Sequence, residues 1–209
     1  MRPLILASAS PRRRELLEEF GVPFTVVVSD APETLDPSLS PDSQAVALAE
    51  RKARAVAQNR SDGFALGADT IVVRNGEILG KPTDDGDARR MLRRLSGRTH
   101  QVITGLALVD AATGAVDRTA VTSTVHMRPL TDCEIARYVA TGEPADKAGA
   151  YAIQGLGAAL IDHFSGCFTN VVGLPLCAVA ELLTGAGVPL PHHWIGCRLP
   201  NGDRCPRTD

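Results

Sequence analysis

The sequence has no apolar run that approaches the roughly 20 residues of a membrane-spanning helix. It also has little net charge: the formal value is −2 at neutral pH. Such a balance argues against a general binder of nucleic acid or of anionic membranes. The N-terminal apolar stretch is too short for a signal peptide and has no cleavage pattern. We therefore expect a cytoplasmic protein, mature as written, with neither nucleic acid nor a membrane as its partner.

A Cys-x-x-Cys motif is absent, and the five cysteines are an odd number. This usage indicates reduced thiols in a cytosolic protein rather than a disulfide framework. Among the cysteines, only Cys197 and Cys205, with His192 and His193 nearby, are candidate metal ligands. Their spacing fits no structural zinc pattern well, so a zinc module in the tail is kept only as an alternative.

Lysine is scarce, because only three of the 22 basic residues are lysines. Codon bias would explain a general choice of arginine. The other explanation is that Lys52, Lys81 and Lys147 stand where a compact ammonium is needed rather than a planar guanidinium. Composition alone leaves both explanations open.

The predicted strands and helices are mixed along the chain. With 209 residues, the chain can form one domain that buries roughly 70% of its unfolded surface. Asn75-Gly76 between two β-rich segments predicts a hairpin, which excludes a purely parallel sheet. We predict an α/β (α+β) fold over residues 1–188. We also predict a strand at 158–162, a last helix at 175–184 and a loosely ordered tail at 189–209.

The segment Ser8-Ala9-Ser10-Pro11-Arg12-Arg13 joins the first predicted strand to the first helix. Ser10 and Pro11 are typical of a helix start. Cations are disfavoured in a first helical turn, so the arginines there favour a bound anion, and paired guanidinium groups suit a polyphosphate. Ser8 would add a hydroxyl to this site. The alternative is a solvated basic surface.

Asp69 lies within an apolar strand, in Gly67-Ala68-Asp69-Thr70. A carboxylate in such a place is costly unless it is paired or bound to a metal. Ile71 and Val73, at its period-2 positions, indicate a partly buried face. Asp69 is therefore a candidate general base or metal ligand, and the alternative is a solvated residue at the end of a strand.

Gly76 to Pro82 imitates a phosphate-binding P-loop, but it has three residues between the glycines and a proline after Lys81. We reject a P-loop and keep Lys81 as a candidate phosphate contact. Gln154 has an amide that could read a pyrimidine edge or simply cap the backbone. Glu33 and Lys52 are uninformative alone.

Several segments together resemble the Maf family of nucleoside triphosphate pyrophosphatases over residues 3–184. The Tyr151-Ala152-Ile153-Gln154-Gly155 segment is similar to the dTTP/UTP subgroup. The other segments that carry the resemblance are Ser8 to Arg13, Gly67 to Thr70, Gly80-Lys81-Pro82, Leu95 to Val102, Asp146 to Ala150, and Asn170 to Leu176.

The resemblance implies an elongated mixed sheet with flanking helices and a central cleft, akin to the inosine triphosphate pyrophosphatases. It implies hydrolysis of dTTP or UTP to a nucleoside monophosphate and pyrophosphate with Mg²⁺ or Mn²⁺, and a homodimer is possible. Asp69 would be the proton acceptor, with Lys52 and Lys81 as catalytic cations and Glu33 with Asp69 as metal ligands. The implied substrate-binding residues are Ser8, Arg12, Arg13, Thr70 and Gln154.

Two rival functions remain open at this point. A purine-preferring pyrophosphatase of similar fold is disfavoured by Gln154 and Thr70. A nucleotide-binding regulator of cell division with little turnover is disfavoured by Asp69, Glu33 and the lysines, because a pure binder needs no water-activating carboxylate.

Overall fold

One mixed sheet organises the molecule. The computed structural model describes residues 2–197, 199–200 and 203–205. Within them, seven strands run in the order β2-β1-β3-β5-β6-β7, with β4 paired to β3. β1 is parallel to β2 and β3, and the other pairs are antiparallel. The strands are β1 (Leu4–Leu6), β2 (Phe24–Val26), β3 (Phe64–Arg74), β4 (Glu77–Leu79), β5 (Thr99–Asp110), β6 (Val116–Met127) and β7 (Ile161–Ser165). The predicted mixed α/β class and the hairpin are confirmed.

Ser-Pro pairs at residues 10–11 and 40–41 predict helix starts, and Thr131-Asp132-Cys133-Glu134 predicts a capping box. Pro11 and Pro41 open the first two helices, and the Thr131–Glu134 capping box is formed. Ser10 occupies the N-cap position, but its hydroxyl makes no capping bond. The helices are α1 (Pro11–Phe20), α2 (Pro41–Ala57), α3 (Asp85–Leu95), α4 (Asp132–Val139), α5 (Phe168–Val172) and α6 (Leu176–Gly185).

Helix α2 lies unusually close to the sheet. Ala45 and Ala49 face Gly105 and Gly67 of the two central strands, and a Cβ atom on either glycine would overlap the helix backbone. Small residues on both sides thus let the helix approach. This close approach brings Lys52, one turn further along α2, to the sheet.

The opposite face of the sheet carries two apolar cores. One core packs α1 and α6 against the sheet end that contains β1, with Phe20 and Leu174 fully buried. The other packs α3 and α4 near β4, around Leu92 and Ile135. Two clusters on one sheet leave room for a cleft between them.

The strand predicted at 158–162 is wrong in its first half. Residues Gly155–Leu160 form a 3₁₀ turn, and β7 starts only at Ile161. The Glu143 carboxylate accepts the N–H groups of Leu156 (3.0 Å) and Gly157 (2.9 Å), which fixes the turn. Apolar composition alone could not reveal this long-range capping contact.

The described part of the tail lies against α1. The Trp194 ring packs edge-on against Phe20 with centroids 4.5 Å apart, and His193 lies beside Gly21. The boundary at residue 188 and the loose order of the tail stay predictions. Among the described residues, no helix is both long and apolar enough to cross a membrane.

Candidate active site

The cleft arises at a gap in the pairing of β3. On one side of β3, β1 pairs with Phe64–Leu66 and β4 pairs with Val72–Arg74. Asp69, Thr70 and Ile71, which lie between these two partners, line a cleft of about 550 Å³. Asp69 and Thr70 lie at the centre of this gap.

Asp69 points toward α2. Successive residues of a strand face opposite sides, so Asp69 shares its side with the buried Ile71 and Val73, as predicted. The Lys52 ammonium donates to Asp69 Oδ1 at 2.6 Å and to Glu33 Oε1 at 2.6 Å. The Lys52 and Asp69 side chains are only 11% and 12% exposed. A nearly buried ion pair therefore forms the floor of the cleft.

Glu33 connects this buried pair to a more exposed lysine. The hydrogen bond from Lys52 lowers the pKa of Glu33, and Lys81 adds to the effect. The Lys81 ammonium lies 3.8 Å from Glu33 Oε2, and its side chain is 60% exposed. These contacts keep Glu33 ionised as a carboxylate. Lys81 remains exposed enough to contact a bound anion.

Thr70 points to the other side, where Arg13 lies. The Arg13 Nη2 donates to Thr70 Oγ1 at 3.0 Å, and its Nη1 donates to the Ala68 carbonyl at 2.8 Å and to Ser8 Oγ at 3.3 Å. Its Nε donates to the Gly173 carbonyl at 2.8 Å. Arg13 thus hydrogen-bonds to the Ala68 carbonyl of β3 at the gap in the pairing of this strand.

These bonds change the expected character of Arg13. Most of its donors are already directed at protein oxygens, so the side chain orients Ser8 and Thr70 and adds positive charge to the wall. Burial lowers the pKa of Arg13, whereas Asp69 and Glu33 act to raise it. Its direct contact with substrate stays a prediction.

A buried hydrogen-bond network fixes Asn170, at the start of the segment that leads to Gly173. Asn170, which is fully buried, donates to the Val102 carbonyl (3.0 Å) and to Ser123 Oγ (2.9 Å). The Thr104 hydroxyl lies 2.9 Å from that of Thr70 and 3.2 Å from the Asn170 carbonyl. Asn170 therefore supports the site from below, while Val171, Val172 and Gly173 line the cleft.

Arg12 and Gln154 line the far wall of the cleft. Arg12 Nη2 lies 3.9 Å from Asp146 Oδ2. Within the described residues, the Gln154 amide makes no hydrogen bond and caps no helix. Its donor and acceptor are therefore available to a ligand.

Lys147 is the residue that sequence reasoning noted but did not place in the site. Its ammonium donates to the Glu143 carbonyl and to Asp146 Oδ1, each at 2.6 Å, and it lines the cleft. All three lysines of the chain line this one cleft. The retention of lysine at only three positions in an arginine-rich chain was therefore the sequence signal that pointed to Lys147.

The structure brings every predicted site residue to the same cleft. They are Ser8, Arg12, Arg13, Glu33, Lys52, Asp69, Thr70, Lys81 and Gln154. Their individual roles stay predictions. His192 and His193 belong to no metal-ligand cluster among the described residues, whereas Cys197 and Cys205 lie beside Cys167.

Glu33 and Asp69 also fit a divalent cation. Both are carboxylates, the ligand type that Mg²⁺ and Mn²⁺ prefer. Both contact the same ammonium through one oxygen each, which places them on one wall of the cleft. The donor set is thus suitable for a hard metal ion.

The cleft has cations along both walls and a carboxylate at its floor. These features define the class of the protein: an α/β protein that binds a polyphosphate and acts on it. The chain belongs to the Maf family, since the family model for Maf-like protein matches residues 3–186.

Two curated relatives are named dTTP/UTP pyrophosphatase. The chain is 50% identical over 190 residues to a dTTP/UTP pyrophosphatase of Desulforamulus reducens, covering 91% of this chain and all of that one. It is 54% identical over 187 residues to a dTTP/UTP pyrophosphatase of Syntrophotalea carbinolica, covering 88% and 84%. A crystal structure of a nucleoside-triphosphatase / dITP/XTP pyrophosphatase from Mycobacterium abscessus aligns with a TM-score of 0.41 at 17% identity, covering 89% of this chain and 95% of that one.

Proposed function

We propose that this protein is a nucleoside triphosphate pyrophosphatase that hydrolyses dTTP and UTP to the nucleoside monophosphate and pyrophosphate. The observation that carries the proposal is the buried Lys52–Asp69 pair in a cleft lined by further cations. The names of the relatives, which share about half of their residues with this chain, give the substrate class.

The cations of the cleft bind the triphosphate and stabilise the leaving group. A triphosphate carries about four negative charges near neutral pH, so several spaced cations are needed to bind it. Arg12 and Lys81 are exposed enough to reach phosphate oxygens, and the Ser8 hydroxyl lines the same cleft. Lys52 is fixed and nearly buried, so its charge acts with little screening.

Asp69 acts as the proton acceptor for the attacking water. The oxygen of that water bonds to the α-phosphorus while the bond from this phosphorus to the α–β bridging oxygen breaks. Asp69 takes the water proton, and pyrophosphate leaves with the electron pair of the broken bond. Lys52 holds Oδ1 of Asp69, so its other oxygen is the one directed at water.

Gln154 and Thr70 select the base. An amide offers a donor and an acceptor together, which matches the ring N–H and the carbonyl of uracil or thymine. Thr70 is fixed by Arg13, so its hydroxyl presents one orientation.

A divalent cation would be held by Glu33 and Asp69. When bound, Mg²⁺ or Mn²⁺ supplies Lewis-acid stabilisation of the negative charge on phosphate oxygens. The cytoplasmic location and the homodimer stay predictions.

Product analysis over a nucleotide panel tests this function. dTTP, UTP, CTP, ATP, GTP and ITP would be incubated with Mg²⁺ or Mn²⁺, and monophosphate, diphosphate, pyrophosphate and orthophosphate would be quantified. We expect monophosphate and pyrophosphate in equal amounts, fastest from dTTP and UTP. A preference for ITP would favour the purine-specific alternative, and binding without turnover would favour the regulatory one.

A further inference from the structure

Four of the five cysteines meet in one buried cluster, although they come from three separate parts of the chain. Cys167 precedes α5, Cys177 lies in the first turn of α6, and Cys197 and Cys205 belong to the tail. They are between 1% and 5% exposed, whereas Cys133 is exposed and lies elsewhere. The packing of an apolar core does not by itself explain why four thiols lie together in one place.

The sulfur atoms have the spacing of a metal site. The Sγ atoms of Cys167, Cys197 and Cys205 all lie within 4.8 Å of one another. The Cys197 thiol also hydrogen-bonds to Cys177. Tetrahedral zinc with Zn–S bonds of about 2.3 Å places its sulfurs roughly 3.8 Å apart. Shifts of about 1 Å or less would bring the sulfurs of Cys167, Cys197 and Cys205 to that spacing. Cys177, which lies outside this group of three, would move further to become the fourth ligand.

Hydrogen-bonding groups of the protein surround the sulfur atoms. The backbone N–H of Asn170 donates to the Cys167 sulfur, and that of Cys197 donates to the Cys177 sulfur. The Thr169 hydroxyl oxygen accepts the N–H of Leu176 at 3.1 Å and lies 3.2 Å from the Cys167 sulfur. Donors of this kind around the sulfurs are typical of the outer shell of a metal site.

The tail is shaped to present its two cysteines together. The Cys205 N–H donates to the Cys197 carbonyl at 3.0 Å, and the Leu199 N–H donates to the Asp203 carbonyl at 2.8 Å. These two bonds hold Cys197 and Cys205 side by side. The other two cysteines lie within the segment that matches the Maf family, and these two lie beyond it.

We propose that Cys167, Cys197, Cys205 and Cys177 bind a structural Zn²⁺ that fastens the tail to the core beside α5 and α6. Binding would release the thiol protons and form four zinc–thiolate bonds. The site is distinct from the catalytic cleft, and the proposal does not depend on the hydrolytic function. Because α5 leads to Gly173, which anchors Arg13, the zinc also stabilises one wall of the cleft indirectly.

Metal analysis of the full-length, untagged protein tests the proposal. The protein would be expressed with zinc, freed of loose metal by gel filtration in chelator-treated buffer, and analysed for zinc and iron by mass spectrometry. Cys197→Ser and Cys205→Ser each remove a ligand, and Cys133→Ser is the matched control. We expect about one zinc per chain in wild type and control, and at least about fivefold less in the two variants.

Two measurements on the wild type keep the test valid if the variants fail to fold. Co²⁺ exchanged into the protein should give the visible and charge-transfer absorption of tetrahedral thiolate coordination. Thiol titration after denaturation with chelator should find all five cysteines. Zinc-free protein, iron in place of zinc, a disulfide among these cysteines, or undiminished zinc in folded variants would each overturn the proposal.

Discussion

At the scale of single residues, Lys52 determines the electrostatics of the cleft. Its ammonium contacts Asp69 and Glu33 at 2.6 Å each and is nearly buried. Removing it would leave two carboxylates next to each other without their shared cation, which is costly at low exposure. The arrangement explains why a flexible lysine rather than a planar arginine stands here, since one ammonium can point its donors in several directions.

Lys52→Met should lower kcat about 100-fold or more, because a fixed charge near the reacting phosphate is lost. The pKa of Glu33 should rise, since Lys52 is the main cause of its lowering. The acid limb of the pH–rate profile should therefore move to higher pH. Arg54→Met, on the exposed side of the same helix, is the control. An unchanged pH profile in a folded Lys52→Met variant would refute this role.

Gln154→Ala should reduce base selectivity more than maximal rate. The amide is free of protein partners among the described residues, so its loss removes a substrate contact and leaves the fold intact. We expect the ratio of kcat/KM for dTTP over CTP to fall about 10- to 100-fold. The exposed Gln58→Ala, outside the cleft, is the matched control. Equal selectivity in both variants would contradict a base-reading role.

At the scale of elements, the approach of α2 to the sheet positions the catalytic pair. Gly67 and Gly105 leave room for the helix backbone, and the alanines of α2 fill that room. The helix thereby delivers Lys52 to Asp69 at hydrogen-bond distance. A helix with larger side chains on this face would stand further from the strand and break the pair.

Gly105→Ala should therefore lower the free energy of unfolding by about 3 kcal/mol, because the new Cβ overlaps the α2 backbone. Gly185→Ala is the matched control, since nothing lies within 4 Å of its added Cβ, and its effect should stay within about 0.5 kcal/mol. Urea denaturation of both variants measures the difference. Similar stabilities would show that the close approach is not required.

The burial of His100 of β5 against Tyr151 should make stability depend on pH. His100 is buried and its ring Nε2 lies 2.6 Å from the Tyr151 hydroxyl. Burial lowers the pKa of His100 from 6.5 to about 4. The unfolded chain therefore binds this proton at higher pH than the folded chain does, and stability falls as pH drops from 6.5 to 4.

The size of this effect is about 3 kcal/mol across that window. His100→Gln should remove most of the pH dependence of the free energy of unfolding between pH 6.5 and 4. The contributions of the other titrating groups should stay the same. Denaturant unfolding at several pH values measures it. Identical slopes in wild type and variant would contradict the assignment to His100.

At the scale of the whole molecule, the cleft separates two apolar cores on one sheet. The gap in β3 pairing places Asp69 toward α2 and Thr70 toward α1, so a single strand supplies both walls. A nucleotide in this cleft would contact both halves of the fold.

Much of this arrangement could be predicted from local sequence. Three local signals correctly predict a turn and two helix starts, because each acts over only a few residues. They are Asn75-Gly76 for the hairpin turn, Ser40-Pro41 for α2 and the Thr131 capping box for α4. The partial burial of Asp69 also followed from its period-2 neighbours. The resemblance to the Maf family supplied the fold and the residues that share the cleft.

Contacts between distant segments could not be predicted. The turn at 155–160 depends on Glu143, and the Arg13 bonds depend on carbonyls from β3 and from Gly173. The meeting of Cys167 with Cys197 likewise joins the core to the tail. None of these pairings leaves a periodic signal in the sequence.

The most direct test of the account is the turnover of dTTP by Asp69→Asn. Asparagine keeps the shape and can still accept the Lys52 hydrogen bond, but it cannot take a proton from water. We predict that pyrophosphate release falls about 100- to 10,000-fold, while the melting temperature and dTTP binding stay close to wild type. Near-normal turnover in the folded variant would contradict the assignment of Asp69 as the proton acceptor.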